Sequence, residues 1–562
     1  MLYTLLSWLV IGISAFLWGF GILFILGKIN HYHSKTLDLV IMIGLCGLTV
    51  YAQFFSLFYK VGRVAVAGVL FLDVIWLFLI YKELINWIKE IEKPLLPLQL
   101  MVVVGIGILV LISTSGEVRA YDTYLYHAQS IRWLEEYGVV PGLGNLHSRL
   151  AYNSSSLCLQ ALFSFSFLAG QSMHSVNGFV IWILLSYAVC SMKFMRNKKI
   201  YASDFTRLAL LGYYADKVYE ASSPGTDLFA IGLIGYIVCK WVTLLEEDEE
   251  KVAPYAYLCI LEVYAVSLKV SAAMIVFLVI MPAYRLIKGK KWGEIILYLS
   301  LGVLTIAPFL IRNVILSGYL LFPYPDLDLF SFDWKIPVSN ATYEQTLIKA
   351  WAQGYRGQYK ADAPFTEWFP LWRDSCLLTD PLLVIEFIAD IVAIPLAMIV
   401  GVLKGFRKKN WNFFHITCCL TAGILFWFFN SPTRRFGETY LLLLPLYLAG
   451  SILENFKFKT VAAITTTAAF VAIGGFSIKY WVSGAVNSVN SASQSYLVNC
   501  AKYKEYGCQL ANIGELDVYY PVPGTDLTGY YFFPATPYVS VLDVIELRGE
   551  SFAEGFRPRE RD

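Results

Sequence analysis

Leu2-Tyr-Thr-Leu-Leu-Ser-Trp-Leu-Val-Ile-Gly-Ile-Ser-Ala-Phe-Leu-Trp-Gly-Phe-Gly-Ile-Leu-Phe-Ile-Leu26 opens the chain without a single charge. It is too long and too aromatic for a cleaved signal peptide and lacks a basic leader, so it reads as a retained membrane helix. Stretches like it recur to residue 483. Each runs for about 17 to 25 apolar residues, enough to cross roughly 30 Å of hydrocarbon. Composition agrees: of 562 residues 57% are hydrophobic and only 15% charged, and the mean hydropathy is +0.58. So little charge cannot dress a water-facing exterior of that size. The net charge of +2 and the lack of a basic block point away from nucleic acid.

Hydropathy places spans near 2–27, 37–58, 63–81, 98–114, 176–195, 205–219, 227–245, 253–268, 270–287, 293–315, 382–403, 412–429, 436–453 and 460–483. The expected fold is an all-α polytopic membrane bundle of about fourteen transmembrane helices. The apolar stretch 156–169 is short and broken by serines, and the basic residues decide its role. If it does not cross, the turns Lys82–Lys93, Arg196–Lys199, Arg285–Lys291, Lys404–Lys409 and Lys457–Lys459 share one side, the cytoplasm. The loops 115–175 and 316–381 and the region 484–562 then lie outside. This divides the chain into a membrane domain, 1–483, and an external C-terminal region, 484–562, whose Tyr519-Tyr-Pro-Val-Pro-Gly-Thr-Asp526 and Tyr530-Tyr-Phe-Phe-Pro534 suggest a small β-rich unit. Among the ten cysteines, Cys500 and Cys508 fit either a local disulfide or two free thiols.

The first external loop contains Arg119-Ala-Tyr-Asp-Thr-Tyr-Leu-Tyr-His-Ala-Gln-Ser-Ile-Arg-Trp-Leu-Glu-Glu-Tyr-Gly138. Asp122 or Thr123 suits a helix N-cap and Gly138 a left-handed end. Tyr124, Ala128, Ile131 and Leu134 recur at helical spacing, which predicts an amphipathic helix lying on the membrane surface. An Asp just after a span, an aromatic helix, a Gly and a second short apolar helix resemble the first external loop of GT-C glycosyltransferases. Pro308-Phe-Leu-Ile-Arg-Asn-Val-Ile-Leu-Ser-Gly-Tyr-Leu-Leu-Phe-Pro323 resembles a second recurring GT-C feature, an Arg-Asn pair at the outer end of a span followed by Gly and Pro. Gly142-Leu-Gly-Asn-Leu-His147 is similar to a stretch in a bacterial group of GT-C-like surface-polysaccharide proteins. The departure is Asp122-Thr123, where many such loops carry Asp-Glu.

The resemblance implies transfer of a sugar from a polyprenyl-phosphate carrier to a glycan or lipid-linked acceptor, at the outer face of a bacterial inner membrane. Such a reaction needs a base for the acceptor hydroxyl and a stabiliser for the phosphate leaving group. Asp122 is the expected base, with His127 orienting it or the acceptor. Arg312, Arg434 and Arg435 are expected phosphate clamps, since guanidinium forks match phosphate oxygens. Asn313, Arg149, Asn153, Asp227 and Lys269 complete the expected binding set. Asp122 and Asp227 also read as helix caps, and Lys269 as a side chain snorkelling to the headgroups. Some GT-C members use a divalent ion, but no residue set in the sequence specifies a metal site. An O-antigen-type polymerase and a lipid-linked glycan transporter or flippase stand as alternative functions.

Overall fold

The computed structural model describes residues 1–34, 36–90, 97–197, 199–356, 360, 362–456, 459–492 and 496–559. Among them eleven helices, 19 to 32 residues long, are long and apolar enough to cross a membrane. They coincide with eleven of the expected spans, and the chain is a predominantly helical multi-pass membrane protein. The other three expected spans are the shorter helices Val176–Cys190, Ala202–Tyr213 and Ala253–Leu268, of 15, 12 and 16 residues. At about 1.5 Å per residue these cover only some 18–24 Å, and each is largely buried inside the bundle. The stretch 156–169 folds as Ser155–Leu162 and Ser166–Ala169, neither of crossing length. Of the basic turns, Lys93 and Lys457 lie outside the described residues.

The two ends of the membrane domain meet. The Met1 amino group donates to the Tyr496 carbonyl at 2.5 Å, and the Leu2 amide to that of Leu497 at 3.0 Å. Helices Leu2–Asn30 and Leu37–Ser56 pack backbone to backbone: a Cβ on Gly44 would fall 1.7 Å from the Ala15 carbonyl oxygen, and one on Gly19 1.8 Å from that of Val40. Small residues permit such approaches between membrane helices.

Outside the bundle, the first loop, the second loop and the C-terminal region share one apolar core. Tyr124, Trp133, Val140 and Leu143 pack with Leu316, Tyr319 and Ile336, and with Tyr503, Val518, Tyr530, Phe552 and Phe556. The C-terminal region contributes two antiparallel pairs, Cys508–Ile513 with Leu516–Pro521 and Ile545–Leu547 with Phe556–Pro558. This is the β-rich unit the turn residues suggest, and both Cys500 and Cys508 are free thiols.

The loop helix differs from its expectation in two ways. It begins with one turn of π-helix, Thr123–His127, and continues as Ala128–Glu136 to a Gly138 with φ 87°. Asp122 is itself helical (φ −59°, ψ −23°) and its side chain makes no capping hydrogen bond. Nor is the helix a half-exposed surface element, because the C-terminal region covers its polar side. Gln129 donates to the carbonyls of Gly529 and Phe532, and Arg132 to those of Tyr530 and Tyr531. Glu135 accepts from the Ser172 hydroxyl at 2.9 Å, and Tyr530 binds the Ser172 amide.

Burial pushes the Glu135 carboxyl up to about 7, against Ser164, Ser172 and Arg132, which favour its ionised form. A carboxyl raised on folding stabilises the protein below its unfolded value and loses that contribution as pH rises through the folded one. The penalty at pH 8 is of order 3 kcal/mol. Glu135→Gln removes it. The melting temperature of the variant in detergent, relative to wild type, should therefore rise between pH 5 and pH 8. A difference that stays flat across that range would show that Glu135 is not the titrating group.

Candidate functional site

Two adjacent arginines begin helix Arg434–Glu454, where the helix dipole disfavours positive charge. Both are offset by carboxylates, but on different sides, since neighbours on a helix point about 100° apart. Arg435 faces the first loop. Its Nη1 lies 3.1 Å from the Asp122 carboxylate and its Nε 3.8 Å from that of Asp227. Asp227 occupies the first turn of helix Thr226–Glu246, where the dipole favours a negative charge. Its other oxygen pairs with Lys269, which stands in extended backbone (φ −158°, ψ 125°) between helix Ala253–Leu268 and the 3-10 run Val270–Val279. The result is an alternating chain of four charges, Asp122–Arg435–Asp227–Lys269. The Lys269 ammonium sits 3.8 Å from the centre of the Phe436 ring, and the Arg435 guanidinium packs on Phe436 and Trp351. Arg435 is 45% exposed and Asp122 22% at the side chain, so this end of the chain opens to solvent.

Burial raises the Asp122 carboxyl, but Arg435, His127 and Arg149 outweigh it and hold the group below the ordinary carboxylate range. Asp122 is therefore ionised at neutral pH. His127 is fully enclosed against Tyr126, ring centres 4.3 Å apart, and neither ring nitrogen has a hydrogen-bond partner among the described residues. Burial lowers it to about 4 despite the nearby Asp122, so at neutral pH it is an uncharged imidazole beside the carboxylate. Arg149 stands one layer out, 3.8 Å from Glu344 and 6.0 Å from the Tyr126 ring centre.

The structure puts the remaining expected residues elsewhere. Arg312 is buried, and donates to Asn153 at 3.0 Å and Ser56 at 2.5 Å. Asn153, in the left-handed region at φ 35°, donates in turn to Asn313 and to the Phe309 carbonyl. Arg312, Asn313 and Asn153 thus tie the first loop to two membrane helices, and these donors do not turn toward Asp122. Arg434 points into the bundle and meets Glu386, Asp216 and Glu438, while Lys217 pairs with Asp216 and Glu438. Its charge is already spent on three carboxylates.

Sequence reasoning missed Asp216, Lys217, Glu386 and Glu438. The available signals were a carboxylate in an apolar span and the i, i+4 pair Arg434–Glu438. Two further carboxyls within helices, Glu262 and Asp390, are buried without a hydrogen-bond partner among the described residues. Beside Arg434 and Trp351 opens a cavity of ≈ 640 Å³, lined also by Arg356, Ser375, Thr379 and Asp380. Among the described residues no group of three His, Cys, Asp or Glu is arranged to hold a metal. Asp122 and Asp227 share the Arg435 guanidinium instead.

A multi-pass helical membrane protein with an ionised carboxylate bridged to its bundle from the loop that follows helix Pro97–Ser115 is thus the class that fold and site define. The chain belongs to a family described as a domain of unknown function (DUF8201), whose model matches residues 1–442. No curated protein and no solved structure matches the chain. The family match takes in all four members of the charge chain and stops short of the C-terminal region.

The two arginines should part company on mutation. Arg434→Ala strands three carboxylates against Lys217 alone and should cost about 3–5 kcal/mol. It would appear as loss of the monodisperse peak in detergent chromatography. Arg435→Ala, at an exposed pair, should leave stability within about 1 kcal/mol of wild type. Equal losses would mean that the two side chains do the same structural job.

Proposed function

We propose that this protein is a membrane glycosyltransferase of GT-C type. It moves a sugar from a polyprenyl-phosphate-linked donor to a glycan or lipid-linked acceptor during assembly of a bacterial cell-surface glycan. The observation that carries the reading is the convergence at the first external loop of an ionised, partly exposed carboxylate, Asp122, with the solvent-facing Arg435. Asp122 takes the proton of the acceptor hydroxyl as its oxygen attacks the anomeric carbon. The bond from that carbon to the carrier phosphate breaks, and the departing phosphate meets a cation. Arg435 is the better candidate for that cation than Arg434 or Arg312, because its side chain is solvent-facing while theirs are turned into the protein. His127, uncharged and buried beside Asp122, acts by position and not as a second charge. A direct displacement of this kind inverts the anomeric configuration.

The basic turns support a place in the bacterial plasma membrane with the large loops and the C-terminal region extracytoplasmic. Fourteen crossings, counting Val176–Cys190, Ala202–Tyr213 and Ala253–Leu268 as spans, satisfy both that sidedness and the adjacency of the two chain ends. The full engagement of Arg434 weighs against the polymerase alternative, which would rest on free arginines.

The test is complementation of a deletion in the native host with Asp122→Asn and Asp122→Ala, monitoring membrane level and surface glycan together. Both variants should insert at the wild-type level and leave a truncated glycan, with transfer lowered by about 10²–10⁴. An intact glycan from both would remove Asp122 from the chemistry and the transferase reading with it.

A further inference from the structure

Three tyrosines that touch none of the expected site residues by sequence motif stand around the mouth of the Asp122 site. Tyr121, the residue before Asp122, is 54% exposed; Tyr538 of the C-terminal region is 52% exposed; Tyr343 of helix Val338–Ala352 is 48% exposed. They come from three segments that are far apart in sequence and are fixed by separate contacts. The Tyr121 hydroxyl donates to the Asp526 carboxylate. The Thr536 hydroxyl donates to the Leu146 carbonyl at 2.8 Å and pins the segment that leads into Tyr538, whose ring lies edge-on to His147 at 6.4 Å. Glu344, next to Tyr343, is held by the Ser148 hydroxyl at 2.8 Å, by Tyr152 and by Arg149. Arg149 and Asp526 act electrostatically on both Tyr121 and Tyr538, and Tyr343 acts on Tyr538. Contacts tie Tyr538 to His147, the neighbour of Tyr343 to Ser148 and Arg149, and Tyr121 to Asp526, so the three rings are gathered about one short stretch of the first loop and one carboxylate.

A half-exposed ring in water gains by packing against an apolar face, and these rings stand on segments outside the eleven long apolar helices. The ligand that matches rings interspersed with Arg and Asp is a saccharide. Its C–H face packs on an aromatic ring, and its adjacent hydroxyls bridge a carboxylate and a guanidinium. A lone anion would be repelled by Asp526 and Glu344, and an apolar peptide would desolvate these charges with no hydrogen bond in return. We propose that Tyr121, Arg149, Tyr343, Asp526 and Tyr538 form a saccharide-binding cleft that seats the sugar residues of the acceptor next to Asp122. The C-terminal region, outside the span matched by the family model, would then supply part of the acceptor site. Calling the bound saccharide an acceptor rests on the transferase reading; the binding of a saccharide does not.

The experiment uses the purified full-length protein in detergent and, as probe, the oligosaccharide released from the host's own surface glycan by mild acid. Binding is followed by saturation-transfer NMR and titration. Wild type should bind saturably. Tyr538→Ala, Tyr343→Ala and Asp526→Asn should each raise Kd roughly five- to tenfold, and Tyr538→Phe should stay within about twofold because the ring remains. Melting temperatures of the variants identify any that fail to fold, and the three independent positions guard against losing one of them. Absence of saturable binding by wild type, or unchanged Kd in the folded Tyr538→Ala, Tyr343→Ala and Asp526→Asn variants, overturns the cleft. Asp122→Asn separates the two readings. If it binds the oligosaccharide as wild type does but transfers nothing, both stand. If it transfers normally while binding still depends on Tyr538, the cleft stands and the transferase mechanism falls.

Discussion

Arg435 joins two carboxylates that the chain delivers from different directions, Asp122 from the first long loop and Asp227 from the start of a membrane helix. Charges beside hydrocarbon are tolerated only in company, and this constraint organises the outer end of the bundle. Lys269 closes the series from the break between two helical segments, so four elements are registered by one line of alternating charge. The arrangement keeps Asp122 ionised while its neighbours prevent it from becoming an isolated buried anion. A carboxylate poised in that way is useful to chemistry, and the same pairing adds one solvent-exposed contact between the loop and the bundle.

The neighbouring Arg434 follows the same rule to a different end. It turns inward, and with Lys217 offsets Asp216, Glu386 and Glu438. Two residues of one type, consecutive in sequence, thus divide between structure and solvent-facing charge. Helical geometry alone makes the division, because one step along the helix is enough to exchange the bundle interior for the loop. The Arg312–Asn153–Asn313 knot belongs with Arg434: it spends a guanidinium on joining elements rather than on leaving it free.

The spans were legible because their signal is compositional and local, and long helices such as Leu2–Asn30 and Thr226–Glu246 fall where hydropathy puts them. Ala202–Tyr213 is shorter than the span expected at 205–219, since apolar composition marks burial in a bundle as readily as contact with lipid. Asp122 was legible as a residue of interest but not in its local role. Capping rules assume an α-helical start, and the π turn at Thr123–His127 places Asp122 inside the helical geometry, with its side chain free to reach Arg435. The pairing of Asp122 with Arg435 spans 313 residues and leaves no mark in local pattern. The same holds for Tyr121 and Asp526, and for the cover that Tyr530–Phe533 lays over the loop helix. Arg312 looked like a clamp because its motif is local, while Ser56 and Asn153, which absorb it, are remote in sequence.

The cover over the loop helix also sets an order of events in synthesis. Gln129 and Arg132 find their partner carbonyls only when residues 529–532 have been made, some 400 residues later. At ribosomal speeds of roughly 5–20 residues per second that is a wait of about 20–80 seconds. Throughout it the helix behind Asp122 has an unfinished polar flank. A chain cut short before residues 529–532 would hold its membrane helices with that flank of the first loop still open.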